Sequence, residues 1–267
     1  MFGHLLVALD GSQSAQKALV RAIEMARITG TTLDVVSVVE DLPHKASRDH
    51  DAGVDLDGEG ARFRRIHEEA KALAGRSEVR LTSEIRRGPK TKTLIEAARE
   101  TGADLLVVGS AGHSGPFARF LGGTTAQLVA HAPTSVLVVR PHEWGRRFNR
   151  VLAAVDGSES SRSALCVADE LRIAFSGTLN VVLAVAAADN ATTIEEVRAL
   201  VADCGIHEDL AVTRGHPVQA ILEFADDMDA DLVVLGAVGL DHRHPVEIGG
   251  TSHRVADLSQ RSVLVVR

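Results

Sequence analysis

Leu5-Leu-Val-Ala-Leu-Asp-Gly-Ser12 recurs as Val151-Leu-Ala-Ala-Val-Asp-Gly-Ser158, an offset of 146 residues. Ala103-Asp-Leu-Leu-Val-Val-Gly109 recurs as Ala230-Asp-Leu-Val-Val-Leu-Gly236, and Gly122-Gly-Thr-Thr125 as Gly249-Gly-Thr-Ser252, both at an offset of 127. Each copy closes on the same six residues, Ser135-Val-Leu-Val-Val-Arg140 and Ser262-Val-Leu-Val-Val-Arg267. A fixed period of this length means the chain is built twice from one unit. The change of offset, 146 − 127 = 19 residues, marks a segment that the second copy lacks. In the first copy the surplus falls between Asp41 and about Gly60, a stretch rich in Asp, His and Gly without apolar periodicity, which reads as a surface loop.

Outward from the repeats, short Val/Leu runs alternate with amphipathic stretches. Strands are expected near 4–9, 33–39, 79–85, 104–109 and 135–140, and again near 150–155, 179–186, 208–213, 231–236 and 262–267. Helices are expected over 12–30, 60–75, 90–101 and 124–131, then 158–175, 192–204, 216–228 and 251–258. In the first helix Ala15, Ala18, Leu19, Ala22, Ile23 and Ala26 form one apolar stripe, with Ser12 or Ser14 as N-cap and Gly30 as stop. Strand and helix alternation with continuous apolar strands specifies parallel sheets covered on both faces. The expected fold is α/β, two tandem doubly wound, Rossmann-like domains of five parallel strands in the order 3-2-1-4-5. The first domain spans 1–140, a linker 141–149, and the second domain 150–267; Trp144 and the arginines near it make the linker a packing segment.

Composition narrows the function. The 267 residues carry a net charge of −7 and no long Lys/Arg run, so nucleic acid is not the expected partner. No stretch approaches a membrane span and no basic-then-apolar leader opens the chain, so neither membrane insertion nor secretion is expected. Only Cys166 and Cys204 occur; they form no disulfide framework and suit a reducing cytosol, with Cys166 read as a core residue. Aromatics are 3% and Tyr is absent, leaving Val, Leu, Ile and Ala to fill the interior.

In doubly wound folds ligands sit beyond the carboxyl ends of the strands. The loop after the first strand is Asp10-Gly11-Ser12, which is not a dinucleotide fingerprint, and Gly88-Pro-Lys-Thr-Lys-Thr93 lacks P-loop spacing. The glycine-rich element follows the fourth strand instead: Gly109-Ser-Ala-Gly112, nine residues, then Gly122-Gly-Thr-Thr125 opening a helix. Glycines allow close backbone approach, a helix N-terminus suits phosphate, and the Thr124 and Thr125 hydroxyls are available as donors. The second copy repeats the spacing through Gly236, Gly239, Gly249, Gly250, Thr251 and Ser252. Taken singly, each glycine is equally compatible with a turn, and Asp10 and Asp156 with helix capping. Ser12 and Ser158 read as caps rather than nucleophiles.

Gly-x2-Gly-x9-Gly followed by Ser/Thr resembles the ATP-binding motif of the universal stress protein family. The Asp10-Gly11-Ser12 turn and the close Ala132-Pro133 with Ser135-Val-Leu-Val-Val are similar to that family as well. The resemblance covers essentially the whole chain, twice. It implies ATP as ligand, with Mg²⁺, and it places Asp10 at the ribose or adenine edge and Val38 or Val39 against the adenine. It puts Gly109, Gly112 and Gly122 along the phosphates, with Thr124 and Thr125 as donors. The implied counterparts are Asp156, Val185, Gly236, Gly239, Gly249, Thr251 and Ser252. One departure is that Gly123 and Gly250 stand where the family carries Ser or Thr. The hydroxyl is displaced by one residue, worth about 0.5–1.5 kcal/mol of phosphate binding. The family's pairing of last strands across a two-fold axis implies a homodimer through the terminal strands, or pairing of the two copies with each other.

The nine-residue loops differ. Arg119 in the first is positioned to face a phosphate, whereas Asp241 and Glu247 in the second repel one, so the first copy is the better expected ATP site. His242 and His244 with Asp241 and His253 read as a solvated loop rather than a zinc site. The acids Asp49, Asp51, Asp55, Asp57 and Glu59 lack EF-hand spacing. No catalytic set is legible, and at most very slow ATP hydrolysis is expected. The expectation is a cytoplasmic ATP-binding regulatory protein of the stress response that acts on a protein partner. A nucleotide-free scaffold is the alternative.

Overall fold

Branched apolar residues in runs of five to eight become strands, and the stripes between them become helices. The computed structural model describes residues 1–40, 56–110, 120–140, 147–185, 191–238 and 249–267. The first half contains β1 (His4–Ala8), α1 (Gln13–Thr29), β2 (Thr32–Val39), α2 (Leu56–Arg76), β3 (Leu81–Arg87), α3 (Lys90–Thr101), β4 (Leu105–Gly109), α4 (Gly123–His131) and β5 (Ser135–Val139). The second contains β6 (Arg150–Val155), α5 (Glu159–Phe175), β7 (Thr178–Val185), α6 (Ala191–Asp203), β8 (Leu210–Arg214), α7 (Pro217–Asp227), β9 (Leu232–Gly236), α8 (Gly250–Leu258) and β10 (Ser262–Val266).

All ten strands share one sheet, in the order β3-β2-β1-β4-β5-β10-β9-β6-β7-β8. Each half has the expected 3-2-1-4-5 order, and its neighbours are parallel. The seam between halves is antiparallel, with Val138 opposite Val263, Leu137 opposite Leu264 and Val136 opposite Val265. The two terminal strands therefore satisfy each other's edges inside one chain. Alternate strand residues feed two cores. One core, beneath α1, α2, α5 and α6, takes Leu5, Val7, Leu137 and Leu264; the other, beneath α3, α4, α7 and α8, takes Leu6, Val136, Val138, Val263 and Val265.

Two arginines lock the seam, Arg140 buried and Arg267 half-buried. Arg140 Nη2 donates to the Ala256 and Asp257 carbonyls at 2.6 and 2.9 Å, at the end of α8. Arg267 Nη2 donates to the Val129 and Ala130 carbonyls of α4, both at 2.9 Å. Each cation thus caps the negative end of the helix belonging to the opposite half. Of the linker, Trp144 lies outside the described residues, but Phe148 is fully buried, 5.7 Å from the Phe175 ring and beneath the Arg21 guanidinium at 4.4 Å.

Two sequence expectations change. The 19-residue surplus is not all loop, because α2 has 21 residues where α6 has 13. Eight surplus residues are thus two more turns of helix, and Asp57 and Glu59 belong to α2. Cys166 is exposed rather than core. The buried stripe of α5 runs through Ser161, Ala164, Leu165, Ala168, Leu171 and Phe175, and Cys166 falls one step, about 100°, off it.

Candidate functional site

The carboxyl ends of β1, β2 and β4 and the start of α4 enclose a cavity of about 270 Å³. That is near the lower limit of small-ligand pockets, about 300 Å³, and suits one small molecule rather than a peptide. Seven residues expected from the sequence line it: Asp10, Val38, Gly109, Gly122, Gly123, Thr124 and Thr125. Gly112 and Arg119 lie outside the described residues, as does Gly239 in the second half. A larger cavity of about 560 Å³ opens between the flanks of α1 and α2, lined by Leu19, Ile23, Ile66 and Leu73 among others. It has volume but none of the glycine-loop donors, so the smaller cavity carries the chemistry.

Local physics explains the floor of the smaller cavity. The Asp10 carboxylate accepts the Ser12 N–H at 2.8 Å, and Ser12 Oγ accepts the Ala15 N–H at 3.2 Å as N-cap of α1. Gly11 between them has φ +79°, a left-handed turn open to glycine. The second half repeats this. Asp156 accepts the Ser158 N–H at 2.9 Å, Ser158 caps α5, and Gly157 has φ +88°. Both serines are therefore caps, and both aspartates brace the turn.

At the phosphate-suited end, Gly122 is the N-cap of α4, in extended backbone, with no side-chain cap. Its own N–H donates to the Ser110 carbonyl at 2.9 Å. The first-turn N–H groups of Gly123, Thr124 and Thr125 have no acceptor among the described residues, as expected of a helix start. Among the described residues a Cβ on Gly123 would meet nothing within 4 Å, so this corner is open on their side. Gly249 and Gly250 reproduce the arrangement before α8, with Gly250 equally open, Thr251 exposed and Ser252 buried.

Two motif residues serve packing. A Cβ on Gly109 would lie 2.6 Å from the Ser14 carbonyl carbon and 2.8 Å from the Ala15 nitrogen, so glycine is what lets α1 sit on β4. Gly236 stands in the same relation to Ser160 at 2.5–2.7 Å. The Thr125 hydroxyl donates to the Gly109 carbonyl at 2.9 Å and the Ser252 hydroxyl to the Gly236 carbonyl at 2.6 Å. Those hydroxyl protons tie helix to strand, which leaves Thr124 as the hydroxyl of the first motif without a partner among the described residues.

The structure adds residues that the sequence reading left out. Lys90, at the start of α3, lines the cavity and pairs with Glu40 at 2.8 Å. It belongs to the segment set aside for its wrong P-loop spacing; only the parallel register of β3 beside β2 brings it to the mouth. Its repeat counterpart is Pro217, so the second half has no cation there. Arg62 Nη2 donates to the Asp10 carbonyl at 3.4 Å from α2. Behind the floor, the buried Ser37 hydroxyl donates to the Leu9 carbonyl, and His67 Nε2 lies 2.8 Å from Ser37 Oγ. Since Ser37 has one proton and gives it to Leu9, Nε2 carries the hydrogen of His67. Burial pushes the His67 pKa down, nearby Lys71 adds to this and Glu68 opposes it. Leu183 and Ile194 occupy the repeat-equivalent positions, so only the first half has this polar brace. Its one sequence signal was a serine within an apolar strand. Val185 is buried at the end of β7. No group of three metal-ligating side chains occurs among the described residues, and the His242/His244 loop lies outside them. Nor is any helix among them long and apolar enough to cross a membrane.

Comparison with known proteins agrees with this architecture. A Staphylococcus epidermidis relative bearing the universal stress protein name is 26% identical over 160 residues, 57% of this chain and 92% of its own length. The structure of a universal stress protein from Archaeoglobus fulgidus superposes with a TM-score of 0.79 at 18% identity, over 99% of this chain and 98% of that one. A functionally unknown protein from Pseudomonas aeruginosa superposes with a TM-score of 0.76 at 21% identity, over 99% and 92%. At those identities the two structures speak for the fold alone. The universal stress protein family itself matches residues 1–140 and 185–267, more than half of the sequence and parts of both repeats. The chain belongs to the universal stress protein family and carries two of its domains in tandem.

Proposed function

We propose that the cavity of the first domain binds ATP, with Mg²⁺, and that the protein is a cytoplasmic stress-response regulator whose bound nucleotide alters its contacts with a protein partner. The observation that carries this reading is the open first turn of α4. Three N–H groups without an acceptor among the described residues converge with Lys90 on a cavity whose far wall is Val36 and Val38. An anion at one end and an apolar ring at the other are what such a site selects. Lys90 against Pro217 supports ranking the first domain above the second. The homodimer expected through the terminal strands changes in one respect: β5 and β10 pair with each other within the chain, so a dimer would have to join elsewhere, and a single 28.3 kDa species in sedimentation would refute it.

Calorimetric titration of Mg-ATP into the full-length protein tests the site. Gly123→Val fills the open corner and is expected to weaken binding at least tenfold at unchanged Tm, while Gly250→Val leaves the tight site intact. Equal losses from both would refute the ranking. No heat, no thermal shift and no nucleotide released on denaturation would refute ATP binding itself. That result would leave the nucleotide-free scaffold, which one observation favours: Gly109 and Thr125 are committed to holding α1 and α4 on β4.

A further inference from the structure

The sulfur atoms of Cys166 and Cys204, 38 positions apart in sequence, lie 3.8 Å apart in space. Cys166 is on the exposed side of α5, and Cys204 is the residue following α6, half-buried. The Arg162–Asp203 ion pair, 3.5 Å, bridges the same two helices beside them. At the repeat-equivalent places the first domain has Val20 and Ser77, which line the larger cavity between α1 and α2. The repeat unit is therefore built in the first domain without cysteines at these places. What two adjacent thiols add, and Val with Ser cannot, is reversible two-electron oxidation.

We propose that Cys166 and Cys204 form an oxidation site, converted by a hydroperoxide into an intramolecular disulfide that staples the end of α6 to α5. Cys166, the exposed thiol, attacks the terminal oxygen of ROOH as its thiolate. The S–O bond forms, the O–O bond breaks, and ROH leaves with the proton that the thiol gave up. Cys204 then attacks the sulfur of the Cys166 sulfenic acid; the S–S bond forms, the S–O bond breaks, and hydroxide leaves as water with the Cys204 proton. In balance, two thiols lose two electrons and ROOH becomes ROH and water. Burial holds the Cys204 thiol pKa up, and its hydrogen bond with Cys166 adds to this while Arg162 opposes it, which fits the resolving role. The consequence reaches the candidate site of the second domain, because α6 leans on its turn: a Cβ on Gly157 would lie 3.3 Å from Val197 of α6. The inference does not depend on ATP binding, since it rests on the thiol pair alone.

Hydrogen peroxide added in slight excess to the reduced full-length protein, followed by thiol counting and peptide mapping, tests it. Both thiols should disappear together, with a tryptic peptide linked through Cys166 and Cys204, a mass loss of two hydrogens, and full recovery in dithiothreitol. Cys204→Ser should stop at a Cys166 sulfenic acid that dimedone captures, and Cys166→Ser should form no linked peptide. Amide exchange in α6 should slow at least several-fold on oxidation of the wild type. Thiols that persist, sulfinic acid without a linked peptide, links only between chains, or dimedone capture at Cys204 alone would each overturn the proposal. Unchanged exchange in α6 would overturn the staple.

Discussion

Replacing Gly109 by Ala separates the packing role of the glycine motif from its ligand role. The added methyl carbon would lie 2.6 Å from both the Ser14 carbonyl carbon and Oγ, and 2.8 Å from the Ala15 nitrogen. Ordinary contact begins near 3.4 Å, so the first turn of α1 must retreat by roughly 0.8 Å. Two of the three colliding atoms are backbone in a buried turn, so no rotamer change relieves them. Overpacking of this kind costs about 1–3 kcal/mol. Gly123→Ala, fourteen positions on in the same motif, meets nothing and sits in the first turn of α4. Lower unfolded-state entropy there is expected to stabilise by about 0.4–1 kcal/mol. The two variants should therefore differ by about 1.5–4 kcal/mol, with Gly109→Ala below wild type and Gly123→Ala at or above it. Urea unfolding followed by far-UV circular dichroism reads this directly, provided the m-values agree. Equal midpoints, or a Gly109→Ala protein as stable as wild type, would show that α1 does not rest on β4 as described.

Three further outcomes follow from side chains that the fold brings together. Arg140→Ala leaves the Ala256 and Asp257 carbonyls of α8 without their charged donor across the seam, and a loss of about 2–4 kcal/mol is expected in urea unfolding. Arg267→Ala should behave alike, and a loss below 0.5 kcal/mol in either, within the range of an ordinary surface substitution, would deny the cross-helix capping. His67 has a depressed pKa in the folded state, so the unfolded chain binds more protons in the window below about 6.5. Its contribution is complete above that pH and declines as pH falls from there toward the folded-state pKa. Denaturation midpoints between pH 7.5 and 5 should fall less steeply in His67→Gln, and identical slopes would rule the brace out as the cause. Lys90→Ala is expected to weaken Mg-ATP binding up to about tenfold, with a shallower salt dependence, because the pair with Glu40 is solvent-screened. An unchanged affinity would remove Lys90 from the site.

Much of the molecule was legible beforehand because its signals are local. Apolar runs bounded by Gly, Pro and Asp mark strands by period alone, and Ser12, Ser158 and Gly30 end helices through hydrogen bonds to residues within one turn. The tandem duplication, the α/β class and the 3-2-1-4-5 order of each half were all readable from repeats and alternation. Asp10 and the Gly122–Thr125 segment were legible as loops beyond strand ends, which a doubly wound sheet sends to one place, while Val38 beside them was implied only by the family resemblance.

What tertiary structure alone decided depends on contacts between residues far apart in the chain. No local period tells that β5 and β10 join the halves into one sheet, or that Arg140 and Arg267 cap helices across it. Gly109 could be read as an opening for a ligand until Ser14 was found against it. Lys90 reaches the cavity, and Cys166 reaches Cys204, through the lateral positions of β3 and α6. Sequence alone determined which elements form and, apart from α2 and the edge strands β3 and β8, nearly where each one ends. Which faces meet was settled by packing, because burying both sides of one sheet is a condition on the whole chain at once.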